Sequence, residues 1–257
     1  GCELIDNESK HNAFTPVYEI SPVVRNENTG DEMCTFRTKM GRNRKAMNVE
    51  RFKGNMVGIS KGKTGKLLAS VELEYAIAGC GHYSVKLLAY AHMPRVDVTV
   101  KVQKDTVWDP ENLFVALPFT VGKEQQHWFN KADALFRPWK DQLPGSCVDF
   151  YCIQHGIMME GDRYGLAIAM PDAGLVQVGE LEYQERLLCG HPELQKRKPL
   201  LYSWVLNNFW ETNFKASTEG FYEFRYFIQW GASLKDPKTA IQTCKSANAG
   251  LTCFRIE

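Results

Sequence analysis

The strongest periodicity in the chain lies in "RVDVTVKVQK", Arg95 to Lys104, where Val96, Val98, Val100 and Val102 alternate with Asp97, Thr99, Lys101 and Gln103. A period of two gives a strand one dry face and one wet face. The alternation recurs in "SVELEYAI", where Val71, Leu73 and Tyr75 oppose Glu72 and Glu74. "SVKLLAY", "ENLFVALPF", "CVDFYCIQ", "YGLAIAM", "LVQVGELEY" and "LYSWVL" read as further strands. In "FYEFRYFIQW", Tyr222, Phe224, Tyr226, Ile228 and Trp230 form one apolar face, while Glu223, Arg225 and Gln229 share the other with Phe221 and Phe227.

Turn chemistry separates these runs: "SKGKTGK" at 60–66, "AGCGH" at 78–82, "WDPEN" at 108–112, "LPGS" at 143–146, "MEGDRYG" at 159–165 and "MPDAG" at 170–174. Strands set this closely leave little room for crossover helices and predict antiparallel sheets in one all-β domain spanning 1–257. One helix is expected in "DPKTAIQTCKSANAG", with Asp236 as cap, Pro237 in the first helical position and Gly250 as the stop. "GHPELQKRKP", 190–199, reads as a long exposed loop.

Charge narrows the partners. Thirty-one basic and 30 acidic residues leave a net charge of +1, so no global field holds nucleic acid or an anionic membrane. No apolar run approaches the roughly twenty residues that cross a bilayer, which predicts a soluble protein. The opening "GCELIDNESK" has no basic start followed by an apolar segment, hence no expected signal peptide. It also lacks an initiator Met, and the chain is read as a piece of a longer polypeptide. The eight cysteines are too sparse for a disulfide scaffold, and none are spaced Cys-x-x-Cys. Reduced thiols and a cytoplasmic setting are the expectation.

The densest chemistry sits in "DQLPGSCVDFYCIQHG", Asp141 to Gly156. Drawn as a strand, it places Cys147 and His155 on one face but roughly 26 Å apart, and Cys152 on the other face. Neither cysteine then pairs with His155, and Cys147 and Cys152 lie beyond the roughly 7 Å reach of a disulfide. The six histidines show no His-x-x-x-His spacing, which predicts ordinary surface or hydrogen-bonded imidazoles. In "LYSWVLNNFWETNF", amides and an acid alternate with aromatics, the mixture that binds sugar hydroxyls and covers pyranose C–H faces. The alternative is that the tryptophans fill a core and the asparagines close turns. "WFNKADALFRPWKDQLPGS", Trp128 to Ser146, offers a similar set in Trp128, Arg137, Trp139 and Asp141.

Together, "ENLFVALPF", "DQLPGSCVDFYCIQHGIMMEGDRYGLAIAMPDAGLVQVGEL" and "SWVLNNFWETNF" resemble the C-terminal β-domain of bacterial α-mannosidase-like enzymes of glycoside hydrolase family 38. The preceding "LLASVELEYAIAGCGHYSVKLLAYAHMPRVDVTVKVQK" fits the strands that open that domain, so the resemblance covers residues 60–231. "LPGSCVDFY" and "NNFWETNF" are its most specific pieces.

The resemblance implies a large antiparallel β-sandwich with little helix, of the galactose mutarotase-like supersandwich kind. It implies an N-terminal catalytic domain of the same polypeptide that carries an aspartate nucleophile, a second carboxylate and a zinc held by histidines and aspartates. This chain matches none of those motifs. No catalytic residue, metal ligand or cofactor is therefore carried onto it, and zinc is expected in the catalytic domain. What remains is a supporting role in which the domain stabilises its partner and helps form the cleft for a glycan. The substrate-facing or interface residues implied are Asp141, Gln142, Asp149, Tyr151, Gln154, Asn207, Asn208, Trp210, Glu211 and Asn213. Of these, Asp149, Tyr151 and Asn213 read equally well as structural. Two rival readings are an independent carbohydrate-binding module using Trp128, Trp139 and Trp210, and a mutarotase-like isomerase with a His and a Glu as acid and base.

Overall fold

A computed structural model describes residues 3–21, 49–181, 187–208 and 217–251. Two antiparallel sheets face each other. In spatial order the larger holds β3 (Asn55–Thr64), β4 (Leu68–Ala76), β5 (Cys80–Tyr90), β6 (Arg95–Lys104), β15 (Gly220–Gly231), β12 (Gly165–Ala169), β11 (Gly156–Glu160), β8 (Gln126–Lys131) and β9 (Ala134–Phe136). The smaller holds β10 (Phe150–Cys152), β13 (Leu175–Val178), β14 (Leu201–Asn207), β7 (Glu111–Ala116), β1 (Pro16–Ile20) and β2 (Glu50–Lys53).

The core fills the space between them. Val98, Val100 and Val102 of β6 meet Phe224, Tyr226 and Ile228 of β15, and the smaller sheet adds Leu113, Val115, Val176 and Val178. Each such side chain stabilises the fold by about 1.5–3 kcal/mol. The alternation read in Arg95–Lys104 and in 221–230 therefore selects the inner face directly.

The outer faces are not all wet. Helix α1 (Pro237–Ala249) lays Ala240, Ile241 and Cys244 on Met158, Ala167 and Ala169 of the larger sheet. Its cap is as expected: the Asp236 carboxylate accepts from Thr239 N at 3.0 Å, and Gly250 ends the helix at φ +68°. On the smaller sheet Val17, Phe114, Ala116, Leu181 and Tyr202 form a second buried layer. Strands covered on both sides, such as β7 and β12, are buried at every position and lose the alternation.

Several expectations are corrected. Ser60 to Thr64, read as a turn, extend β3, and the reversal comes after them, where Gly65 N donates to Leu68 O at 2.9 Å. An edge strand with mostly exposed residues needs no apolar alternation, so Gly, Lys and Thr suffice. "CVDFYCIQ" keeps only Phe150–Cys152 as strand, because the chain leaves the smaller sheet there and joins the larger one at Gly156. A Cβ on Gly156 would stand 2.2 Å from Ile168 O, so only glycine fits this crossing. "GHPELQKRKP" contains a 3₁₀ turn, Pro192–Lys196, anchored by buried Leu194. The margin formed by β2 and β3 leaves Met56, Val57 and Ile59 between 51% and 65% exposed, an apolar strip with no cover among the described residues. Within the same residues, no helix is long and apolar enough to cross a membrane.

Candidate functional site

The segment from Arg137 to Asp149 joins β9, an edge of the larger sheet, to β10, an edge of the smaller one. Such a link wraps the open side of the sandwich and must satisfy its own backbone. Arg137 and Asp141 close its first turn: Arg137 N and Nε donate to Oδ2 at 2.9 Å, and Nη2 donates to Oδ1 at 2.7 Å. The guanidinium holds the Asp141 carboxyl below the usual carboxylate range.

Gln142 organises the rest. Its Oε1 accepts from Trp139 N at 2.9 Å and from Tyr151 Oη at 2.6 Å, and its Nε2 donates to Cys147 O at 3.0 Å. Trp139 is thereby held at φ +70°, a conformation that L residues rarely adopt, with its indole N–H on Val148 O at 2.8 Å. Tyr151 packs edge-on against Phe129, and burial pushes its hydroxyl well above the ordinary range.

Beside this loop lies a cleft of about 550 Å³ lined by Trp139, Lys140, His191, Leu194, Arg197 and His127 of β8. His127 shares strand parity with core residue Phe129, which turns it inward. It is 4% exposed, and burial followed by the nearby Lys140 charge pushes its imidazole down to about 4. Among the described residues neither ring nitrogen has a hydrogen-bond partner, and the residue lines the cleft.

The remaining expected residues lie elsewhere. Gln154 caps the β8–β9 hairpin, its Oε1 accepting from Asp133 N at 3.1 Å. Asp149 is buried, and its carbonyl accepts from Val178 N at 2.7 Å. Asn207 ends β14 opposite Asn112. Asn208 accepts from Glu111 N at 2.6 Å and donates to Asp109 O at 3.1 Å, tying down the turn before β7. Trp210, Glu211 and Asn213 lie outside the described residues. Asp141, Gln142 and Tyr151 thus form one group, and Asn207 and Asn208 another.

Strand registers separate these regions. Lys104, near Asn208, pairs with Gly220 at the start of β15. Gln126, at the cleft, lies level with Glu160, Gly165 and Gly231 at its end. The 12 residues of β15 put the two regions on the order of 35 Å apart along the sheet.

Two polar features escaped the sequence reading. Next to Asn208, Lys104 Nζ meets Glu111 Oε2 at 2.7 Å, both side chains being 1% exposed. Lys104 continues the Val96–Val102 parity onto the dry face, and that break in the pattern was its legible signal. His127 had no such signal, because β8 itself was not expected. Two of the tryptophans proposed as sugar platforms are engaged: Arg137 covers Trp128 at 5.4 Å, and Trp139 packs against the core, while Trp210 lies outside the described residues. Desolvation pushes the partly buried Cys80 thiol and the buried Cys244 thiol up to about 12, away from the reactive thiolate form. No three His, Cys, Asp or Glu side chains converge among the described residues as a metal site would require.

The architecture defines a large, two-sheet antiparallel β-sandwich. No family model and no curated protein matches the sequence. Among solved structures, the fold is similar to part of an α-mannosidase from Enterococcus faecalis V583, with a TM-score of 0.54, 10% identity, and coverage of 92% of this chain and 28% of that one. A protein in glycosyl hydrolase family 38 from Enterococcus faecalis matches with a TM-score of 0.56, 8% identity, and coverage of 92% and 28%. At such identities the likeness is one of fold, and this chain spans less than a third of either structure's length.

Proposed function

We propose that this chain is a non-catalytic β-sandwich domain of an α-mannosidase-like glycoside hydrolase of the family 38 type, which stabilises a catalytic domain of the same polypeptide and helps wall its glycan cleft. The observation that carries this reading is the asymmetry of the fold match, 92% of this chain against 28% of an α-mannosidase. The exposed strip of Met56, Val57 and Ile59 supports it, since apolar residues left open at a sheet margin suit burial against a neighbouring domain. Hydrolysis itself needs two carboxylates flanking the glycosidic bond. In this reading those groups and the zinc belong to the partner domain.

The test compares this chain with the full polypeptide encoded by its gene. The expected result is hydrolysis of aryl α-mannosides by the full polypeptide and none by this chain with zinc supplied. Ile59→Asp is expected to lower the melting temperature of the full polypeptide while leaving that of the isolated chain nearly unchanged. Hydrolysis by the isolated chain would overturn the proposal, as would a full polypeptide indifferent to Ile59→Asp.

A further inference from the structure

We infer that the cleft based on His127 is a binding site for a small anionic sugar, a monosaccharide carrying a phosphate or carboxylate. The inference rests on the cleft alone and not on the domain assignment above.

The first argument is the imidazole. A polar side chain that is 4% exposed ordinarily has hydrogen-bond partners within the protein. Here the imidazole has none among the described residues, and it lines the cleft. A neutral imidazole offers one donor and one acceptor, which is what a hydroxyl, itself donor and acceptor, can satisfy.

The second argument is charge. Lys140 and Arg197 line the cleft with His127 and His191, and no Asp or Glu is among its described lining residues. The nearest acid of the 3₁₀ turn, Glu193, is paired with Lys196 at 2.7 Å. His191 accepts from Glu193 N through Nδ1, so the neutral ring carries its proton on Nε2 as a further donor. A concave surface lined by one sign of charge concentrates the opposite sign, and Lys and Arg donate to phosphate and carboxylate oxygens.

The third argument is size and rigidity. About 550 Å³ lies within the range of small-molecule sites. Trp139, locked at φ +70° by Gln142, gives the cleft a fixed aromatic wall. Donors for an anion and a hydroxyl-matching imidazole in one cleft select a ligand that carries both functions.

The test uses the whole chain at low ionic strength, with titration calorimetry for affinity and the His127 Cε1–H resonance for location. The probes are glucose 6-phosphate, glucuronate, glucose and inorganic phosphate. At least one of the two charged sugars is expected to bind tenfold or more tighter than both glucose and inorganic phosphate, and to move the His127 resonance. Lys140→Met, at the surface, is expected to weaken that binding at least tenfold with the melting temperature held. His127→Gln is expected to weaken the charged sugar about fivefold and to leave inorganic phosphate unaffected. Equal affinity for inorganic phosphate and both charged sugars would reduce the cleft to a plain anion patch and overturn the inference. Binding that leaves the His127 resonance unmoved, or survives Lys140→Met, would place the ligand elsewhere and do the same.

Discussion

Two polar groups lie inside this sandwich, a sheet's length apart, and they have solved burial in opposite ways. At one end, Lys104 Nζ bridges from the larger sheet to Glu111 of the smaller, donates to Asp105 O at 3.0 Å and sits 5.3 Å from the Tyr18 ring centroid. Glu111 also accepts from Tyr18 Oη at 2.6 Å and from Thr218 Oγ1 at 2.9 Å. Every lone pair and proton that matters has a use, and Gly79, whose Cβ would stand 2.6 Å from the Tyr18 ring, lets the loop close over the pair. At the other end, His127 is as deeply placed but holds no partner among the described residues and faces a cleft. A buried ion pair with its own hydrogen bonds joins the two sheets, whereas a buried imidazole that lines a cleft without a protein partner is available for binding.

The sharpest way to break the comparison is to remove one half of the ion pair. Lys104→Met leaves the Glu111 carboxylate buried and unpaired, and is expected to cost about 3–5 kcal/mol in urea unfolding. Adding Glu111→Leu is expected to cost clearly less than the sum of the two single changes, because the stranded charge is gone. Additive losses would mean that the two side chains act independently.

The cleft end predicts a pH dependence instead. The folded His127 resists protonation down to about pH 4, while an unfolded histidine takes up its proton near 6.5. As pH falls through that window the unfolded state binds more protons, so stability falls, by about 3 kcal/mol from this one group. Lys140, Arg197 and His191 face the same cleft and oppose the added charge. Unfolding curves for the wild-type chain and His127→Phe should therefore diverge between pH 6.5 and 4, the wild type losing more. Parallel profiles would remove the claim that the ring is held neutral.

A smaller effect is expected for the loop that walls the cleft. Gln142→Ala strands the buried Tyr151 hydroxyl and frees Trp139 N, for a loss of about 1–3 kcal/mol by thermal or urea unfolding. The smallest belongs to Asp141→Asn, which weakens a solvent-exposed pair with Arg137 and should change stability by under about 1 kcal/mol. A larger loss at Asp141 than at Gln142 would invert the hierarchy of buried over exposed contacts on which the comparison rests.

Much of this protein was written locally. The valine alternation of Arg95–Lys104, the aromatic face of 221–230 and the Asp236–Pro237–Gly250 punctuation of α1 each act within a few residues, through side-chain periodicity, capping and allowed φ. Edge strand β3 and the crossing from β10 to β11 were not legible, since an exposed edge needs no apolar pattern and a sheet change is decided by what lies opposite. The same holds for polar chemistry. Local spacing cannot tell that Gln142 spends its hydrogen bonds on folding its own loop while the His127 imidazole makes none among the described residues and lines a cleft. The strands with a strong apolar alternation were fixed by contacts between near neighbours. Which buried polar groups are satisfied, and which face a cleft, was decided only when segments far apart in sequence were packed together and water was excluded from some places and not from others.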